Sequence, residues 1–185
     1  MKIRACGNVP RGSAPQSVRR KEESCFRTFC VQAYVLSCVG TASAAAGHYY
    51  AGRGNKFWKT LAEVGLTPEV LEPRVYERLL DYGIGLTDVV KDQAGGDASI
   101  DFTAPSGAVA LRAKIEMFEP RILCFNGKCA AQAFFGTGAI GYGLQPETIG
   151  PTVLFVAPST SGAASGSWSL DTWKELAART RTSSA

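Results

Sequence analysis

The chain has 185 residues, of which 45% are hydrophobic and 19% charged; this composition suits one globular domain and is too apolar for a disordered protein. No apolar run approaches the roughly 18 residues of a membrane span, so we expect no membrane partner. Twenty basic and 16 acidic residues give a net charge of +4, which permits a polyanionic partner without identifying one. The single histidine, His48, excludes zinc sites built from two or three histidines.

The cysteines and the N-terminus indicate a reducing compartment. No C-x-x-C pair occurs, and two cysteines interrupt apolar runs typical of strands, so we interpret the cysteines as free thiols in the cytosol. A cluster of Cys25, Cys30 and Cys38 is the alternative. The N-terminus lacks the apolar segment of a secretory signal, and we therefore expect a cytoplasmic protein. The six cysteines are Cys6, Cys25, Cys30, Cys38, Cys124 and Cys129.

The chain begins with a segment unlike the rest. Residues 1–24 are poor in large apolar side chains and carry a basic cluster at residues 19–21, which predicts a mobile basic arm or tail. A single domain is predicted over residues 25–185. Its first strong element is the continuous apolar run 33–40, which is typical of a strand buried on both faces of a parallel sheet.

A loop and two helices follow this strand. The loop 41–54 is made of small residues with an aromatic pair, and residues 55–65 show apolar side chains at helical spacing. A second helix is predicted over residues 68–83, interrupted near Pro73 because proline cannot continue a helix. The segment 82–90 is punctuated by glycines, and we assign it no regular element.

The second half of the domain alternates helices and strands. In chain order we predict a surface loop 93–105, a helix 105–120, a strand 121–126, a helix 127–136, a strand 152–158 and a final helix 169–181. Three apolar strands alternating with helices predict an α/β domain, a three-layer α/β/α arrangement around a short central parallel sheet. Ligands of such folds bind at the carboxyl ends of the strands, so the important loops are those after Gly40, Asn126 and Pro158.

The composition of these loops favours phosphate binding. They are rich in small residues, and two of them open helices, whose N-terminal amides attract anions. Neither a G-x-G-x-x-G fingerprint nor a P-loop is present, which disfavours common nucleotide cofactors. Lys128 and the hydroxyls of Ser159, Thr160 and Ser161 instead suit a phosphodiester backbone. The alternative is that serine and glycine merely cap the helices.

Five segments carry a resemblance to a known family. They are GHYYAGRGNKFWK (47–59), YGIGLTDVV (82–90), PRILCFNGKC (120–129), YGLQP (142–146) and APSTS (157–161). In this order and spacing, from about residue 33 to 178, the chain resembles the thymine/uracil mismatch-specific branch of the uracil-DNA glycosylase superfamily. The resemblance implies a short parallel sheet between helices, and removal of an aberrant base from DNA without a metal or organic cofactor.

The resemblance also implies roles for individual residues. Tyr50 matches the position whose ring stacks on the flipped base, with a tyrosine packed at the loop base as the alternative. Asp88 lies near the base edge, where a carboxylate accepts the uracil N3–H and repels the N3 lone pair of cytosine; a turn or cap residue is the alternative. Asn55 caps or braces the pocket, which Gly40, Thr41 and Ala42 help to form. Gly127 and Lys128 match a phosphate-contacting turn, and Ser159, Thr160 and Ser161 a loop that grips the DNA backbone.

Two departures from the family pattern bear on the chemistry. Ala42 stands where the family has the asparagine that positions the attacking water, so either the function is lost or another residue supplies it. His48 and Asp88 are the preferred substitutes, with Ser43 behind them. In the last loop, residues 162–164 are Gly, Ala and Ala, where relatives carry a bulky wedge. We therefore expect less dependence on a mismatch and tolerance of single-stranded DNA.

Together the residues and the resemblance predict a monofunctional uracil-DNA glycosylase without a cofactor. Its partner is uracil-containing DNA, single- or double-stranded, and its products are free uracil and an abasic site. We expect a monomer that is cytoplasmic and associated with the bacterial nucleoid when bound to DNA. Two alternatives stay open: a glycosylase for hypoxanthine, xanthine or thymine, and a non-catalytic binder of uracil-containing or abasic DNA, for which Ala42 is the motive.

Overall fold

The computed structural model describes residues 33–37, 43, 46–88 and 105–181. Within them, five strands form one sheet: β1 (Ala33–Ser37), β2 (Ile84–Asp88), β3 (Ile122–Asn126), β4 (Gly143–Ile149) and β5 (Thr152–Ala157). The strand order is β2-β1-β3-β5-β4. β1, β2, β3 and β5 are parallel to one another, and β4 is an antiparallel edge strand next to β5.

Helices cover both faces of this sheet. The α-helices are α1 (Phe57–Glu63), α2 (Pro105–Phe118), α3 (Lys128–Phe135) and α4 (Leu170–Arg181), and two 3₁₀ segments span Pro73–Tyr82 and Gly162–Ser167.

Alternate side chains of the central strands enter two separate cores, as the period of two in a strand requires. Cys124 and Phe155 pack with α1, the first 3₁₀ segment and α4. Leu123 and Leu154 pack on the other face, with α2 and α3. The predicted α/β fold with helical layers on either side of the sheet is confirmed.

Two strands were not predicted from the sequence. β2 is flanked and interrupted by glycines, so its five residues do not form an obvious apolar run, yet it pairs with β1 along its whole length. β4 is mostly exposed and contains Pro146; proline is tolerated there because an edge strand leaves one row of its amides unpaired. The central sheet is therefore parallel over four strands and ends in one antiparallel strand.

The predicted second helix was wrong in type and extent. The chain forms a 3₁₀ segment only from Pro73 to Tyr82, and Val75 within it has non-helical dihedral angles of φ −110° and ψ 28°. Pro73 at the first position lacks an N–H and fixes the start of the segment. The other predicted helices are confirmed with ends shifted by one or two residues.

Several predictions fall on residues outside the described ranges. The N-terminal arm 1–24, the loop 93–104, Gly40, Thr41, Ala42 and the first four cysteines lie there. Of the two cysteines in the described part of the chain, Cys124 is a buried free thiol and Cys129 a partly buried one. Burial raises the pKa of Cys124, so this thiol stays protonated. None of the helices in the described ranges is long and apolar enough to cross a membrane.

Candidate active site and DNA interface

The candidate site lies at the carboxyl edge of the parallel strands. β1 and β2 end in register, with Ser37 beside Asp88, and β3 and β5 end with Asn126 beside Ala157. The antiparallel β4 begins at the same edge, because Gly143 pairs with Val156 near the end of β5. The described loops that follow β3 and β5 therefore converge there, as the topology predicts.

A buried pair of hydrogen bonds, the Asn126–Thr160 brace, joins the loops after β3 and β5. The Asn126 side chain donates from Nδ2 to Thr160 Oγ1 over 2.8 Å and accepts at Oδ1 from the Thr160 amide over 2.9 Å. The Thr160 carbonyl in turn accepts from the Lys56 amide over 2.8 Å, which ties in the start of α1. Thr160 is completely buried. Its side chain is thus a structural brace in this structure, and it is not exposed to a phosphate.

Gly127 lets the loops after β3 and β5 approach closely. Its φ of +109° is a conformation that L side chains rarely adopt, and a Cβ at this position would stand 3.0 Å from Cβ of Ser159. The Gly127 amide donates to the carbonyls of Phe125 and Ala157. This amide is therefore committed to the fold and is not available for the predicted phosphate contact. The phosphate contact of Lys128 stays a prediction, and the first amides of α3 have no acceptor within the helix.

The two serines of the last loop are partly buried and shape its backbone. Ser159 Oγ accepts from the Ser161 amide over 3.3 Å, and Ser161 Oγ accepts from the Ala163 amide over 3.4 Å. Each hydroxyl keeps its own proton for an outside acceptor, since these bonds use only the oxygen lone pairs. The structure thus brings Ser159 and Ser161 together at the edge of the sheet, beside Gly127.

Tyr50 forms one wall of an aromatic stack. Its ring lies 3.7 Å from that of Phe57, centroid to centroid, with 22° between the planes. Phe57 is itself completely buried and held edge-on by Trp58 and Trp173. Tyr50 has a φ of +53°, which is uncommon for a residue with a side chain and is often found at functional sites. Tyr50 is itself buried, with 7% of its surface exposed, and one face of its ring is stacked on this core residue.

His48 lies in the same loop, two residues before Tyr50. It is partly buried, and its Nδ1 atom is buried without a hydrogen-bond partner among the described residues. Its amide donates to the Ser43 carbonyl over 3.2 Å, while Ser43 Oγ accepts from the Ala51 amide over 3.2 Å. Ser43 therefore braces the loop, and His48 holds an uncompensated polar atom within it. Buried polar atoms are normally paired, so this one points to a ligand or to water.

Asn55 makes a local hydrogen bond at the start of α1, and its role at the pocket stays a prediction. Its Oδ1 accepts from the Phe57 amide over 3.0 Å, an Asx turn that starts α1. Asp88 is the last residue of β2 and pairs in register with Ser37, which places its backbone at the candidate edge.

Sequence reasoning missed four residues of this edge. The sequence pattern predicts only that Asn126 ends an apolar strand. Its hydrogen bonds to Thr160 arise because the fold places it opposite the loop after β5. Lys56, Tyr142 and Trp168 lie in three separate segments, and their side chains meet others at this edge through the tertiary fold. The Nζ atom of Lys56 lies 4.9 Å from the ring centroid of Trp168, and that of Lys128 lies 4.6 Å from that of Tyr142.

Replacing Asn126 with alanine should destabilise the fold by about 2–4 kcal/mol, because it leaves two buried polar groups of Thr160 without partners. Urea denaturation followed by circular dichroism measures this free energy. Asn55→Ala is the matched control. It removes one more accessible bond at a helix start and should cost only about 0.5–2 kcal/mol. Equal denaturation midpoints for Asn126→Ala and the wild type would contradict a stabilising role of the Asn126–Thr160 brace.

A comparison with known families agrees with this arrangement. Residues 38–178 match the family model described as the uracil DNA glycosylase superfamily. The match covers most of the chain, and it includes the loop with His48 and Tyr50, the end of β2, the Asn126–Thr160 brace and the last loop. Members of this superfamily are DNA glycosylases. On this match, the chain belongs to the uracil DNA glycosylase superfamily.

Proposed function

We propose that this protein is a monofunctional uracil-DNA glycosylase that turns uracil out of DNA and hydrolyses its N-glycosidic bond. The observation that carries the proposal is that one loop holds both the Tyr50 ring, buried and stacked on Phe57, and the buried Nδ1 of His48, which has no hydrogen-bond partner among the described residues. This loop lies at the edge where β2 ends in Asp88 and where the loop 159–161 begins. The closer assignment to the thymine/uracil mismatch-specific branch rests on the five sequence segments described above.

Stacking on the Tyr50 ring would offset the free-energy cost of turning a nucleotide out of DNA. Extruding a nucleotide costs a few kcal/mol of lost stacking and pairing, and stacking one base on an aromatic side chain returns roughly 1–3 kcal/mol. We assign the face of Tyr50 that is turned away from Phe57 to the base. Because Phe57 is completely buried and held between two tryptophans, the Tyr50 ring needs little reordering when the base arrives.

The hydrolysis itself needs one water and two polar groups. The water oxygen bonds to the sugar C1′, the C1′–N1 bond breaks with its electron pair going to uracil, and a proton from the water ends on the base. We assign His48 to the uracil O2, where negative charge develops, or to the attacking water. Asp88 accepts the uracil N3–H and holds off cytosine, whose N3 carries a lone pair. Ser43 is the weaker candidate for orienting water, since its Oγ already braces Ala51.

The last loop supports activity on single strands. Gly162 and Ala163 are exposed and carry no large side chain. A Cβ on Gly162 would stand 3.3 Å from the carbonyl oxygen of Gly54, so close contact with the neighbouring loop disfavours a bulky wedge at this position. Without a wedge to fill the gap in a duplex, the enzyme gains little from the opposite strand. We therefore infer that it accepts single-stranded DNA and does not require a mismatch.

A panel of labelled oligonucleotides tests the assignment. Each carries uracil, hypoxanthine, xanthine or thymine at one position, in single strands and in duplexes, and is treated with alkali after single-turnover incubation. We expect uracil to be excised fastest in both forms. Faster excision of hypoxanthine would overturn the choice of uracil. Tight binding of uracil-containing DNA with no alkali-sensitive break would show a non-catalytic binder instead.

A further inference from the structure

Two lysine–aromatic pairs lie on segments that border the last loop. A phosphate contact is predicted for Lys128, but neither its aromatic partner nor the Lys56–Trp168 pair has a role in the proposed chemistry. The Nζ atom of Lys56 lies over the Trp168 ring at 4.9 Å, and that of Lys128 lies over the Tyr142 ring at 4.6 Å. Both lysines are partly exposed, and Tyr142 is 38% exposed. An ammonium group at these distances from a ring face is attracted by the ring quadrupole. Each lysine therefore has a preferred position.

The two pairs are connected through the loop between them. The Lys56 amide is bonded to the Thr160 carbonyl. On the other side of the loop, Lys128 directly follows Gly127, whose missing Cβ leaves room for Ser159 at 3.0 Å. The order across the edge of the sheet is thus Lys56, the loop 159–161 and Lys128. The backbones of two lysines thus border a loop that also offers two serine hydroxyls.

A lysine on an aromatic ring can still bind an anion. The ring contacts one side of the ammonium group, and the remaining N–H donors point elsewhere. Flexible lysines lose side-chain entropy when they bind a phosphate, and a ring that already restricts the side chain reduces this loss. The pairs on Trp168 and Tyr142 therefore prepare two cations for a ligand with two negative charges in succession, which is the repeating chemistry of a nucleic-acid backbone.

We propose that Lys56 and Lys128 form a two-phosphate clamp on one DNA strand, with Trp168 and Tyr142 as the residues that position them. Each lysine holds one phosphate of the strand beside the loop 159–161. This deepens the proposed function and rests on it for placing the gripped strand at the site of base excision. The gripping of the strand requires only the two pairs and the loop.

The salt dependence of binding tests the lysines separately from uracil excision. The probe is a fluorescent single-stranded thymidine homopolymer, which contains no uracil, and its affinity is measured by anisotropy over a range of salt concentrations. Each phosphate contact contributes about 0.7 to the slope of log affinity against log salt for single strands. Lys56→Ala and Lys128→Ala should each reduce the slope by about 0.7, and the double variant should reduce it by about 1.4.

Arg112→Ala is the matched control for these variants. The Arg112 guanidinium also lies over a ring, 5.1 Å from the centroid of Phe134. Phe134 belongs to the last turn of α3, at the opposite end of that helix from Lys128. This variant removes a cation–π pair and a positive charge away from the loops, and the slope should stay that of the wild type. An equal fall in slope for Arg112→Ala and the two lysine variants would show general charge attraction and overturn the clamp.

The positioning role of the rings is tested by a double-mutant cycle. In the Trp168→Leu background, Lys56→Ala should weaken homopolymer binding at least about twofold less than it does in the wild type, because coupled residues are not additive. Tyr142→Leu should act in the same way on Lys128→Ala. Trp168→Phe and Tyr142→Phe keep a ring and should restore the wild-type coupling. Additive effects in both cycles would overturn the positioning role even if the leucine variants lower the thermal stability.

The two proposals fail in distinguishable ways. Wild-type protein that excises uracil, with slopes unchanged in both lysine variants, would overturn the clamp and leave the glycosylase assignment intact. Wild-type protein with the expected slopes and coupling, but no excision of any base, would retain the clamp on DNA and overturn the enzymatic assignment.

Discussion

Replacing His48 with alanine should lower the single-turnover rate of uracil excision by about 10²-fold or more, the effect of removing a positioned acid/base or charge-stabilising group. The physical reason is the Nδ1 atom, which is buried without a partner among the described residues. A ligand or water that pairs with this atom gains a hydrogen bond for which the protein has already borne the desolvation. Rapid-quench assays on a single-stranded uracil oligonucleotide measure the rate with enzyme in excess.

Two amide variants identify the working nitrogen of His48. Asparagine places an amide group near the position of Nδ1, whereas glutamine reaches the position of Nε2. We expect His48→Asn to recover part of the rate and His48→Gln to resemble alanine. A rate for His48→Ala within about threefold of the wild type, with the fold intact by circular dichroism, would remove His48 from the chemistry.

Asp88→Ala should also reduce excision by about 10²-fold, because the base then loses the carboxylate proposed to accept its N3–H. Asp88 ends β2 beside Ser37, at the same edge of the sheet as the loop 159–161. Asp88→Asn keeps a carbonyl oxygen that can accept the N3–H, so its rate should lie above that of the alanine variant. The same single-turnover assay on the same oligonucleotide compares the variants.

Asp81→Ala is the matched control for Asp88. Asp81 is an exposed carboxylate in the 3₁₀ segment that precedes β2, so its removal makes the same change in net charge away from the edge. Its rate should equal that of the wild type. If the Asp81 and Asp88 variants slow excision to the same degree, the effect arises from overall charge and the base-reading role of Asp88 is wrong.

The candidate site was only partly predictable from the sequence. The convergence of the loops after β3 and β5 followed from the parallel topology, since carboxyl ends of parallel strands share one edge. Thr160 was predicted to face phosphate because it lies between two serines in a loop. The structure instead buries it against Asn126, since a buried amide side chain at the end of β3 needs partners. That partner is distant in the chain, and no local pattern indicates it.

The sequence by itself determined the fold class, because apolar runs bounded by glycine and alternating with helical spacing specify buried parallel strands. It also determined which residue types the loops contain, including the single imidazole two residues before Tyr50. Only the tertiary structure decided how these groups are used. β2 and β4 are strands because of their neighbours, and Lys56 and Lys128 rest on rings from other segments. Such contacts depend on packing between distant parts of the chain, which the periodicity of a local segment does not encode.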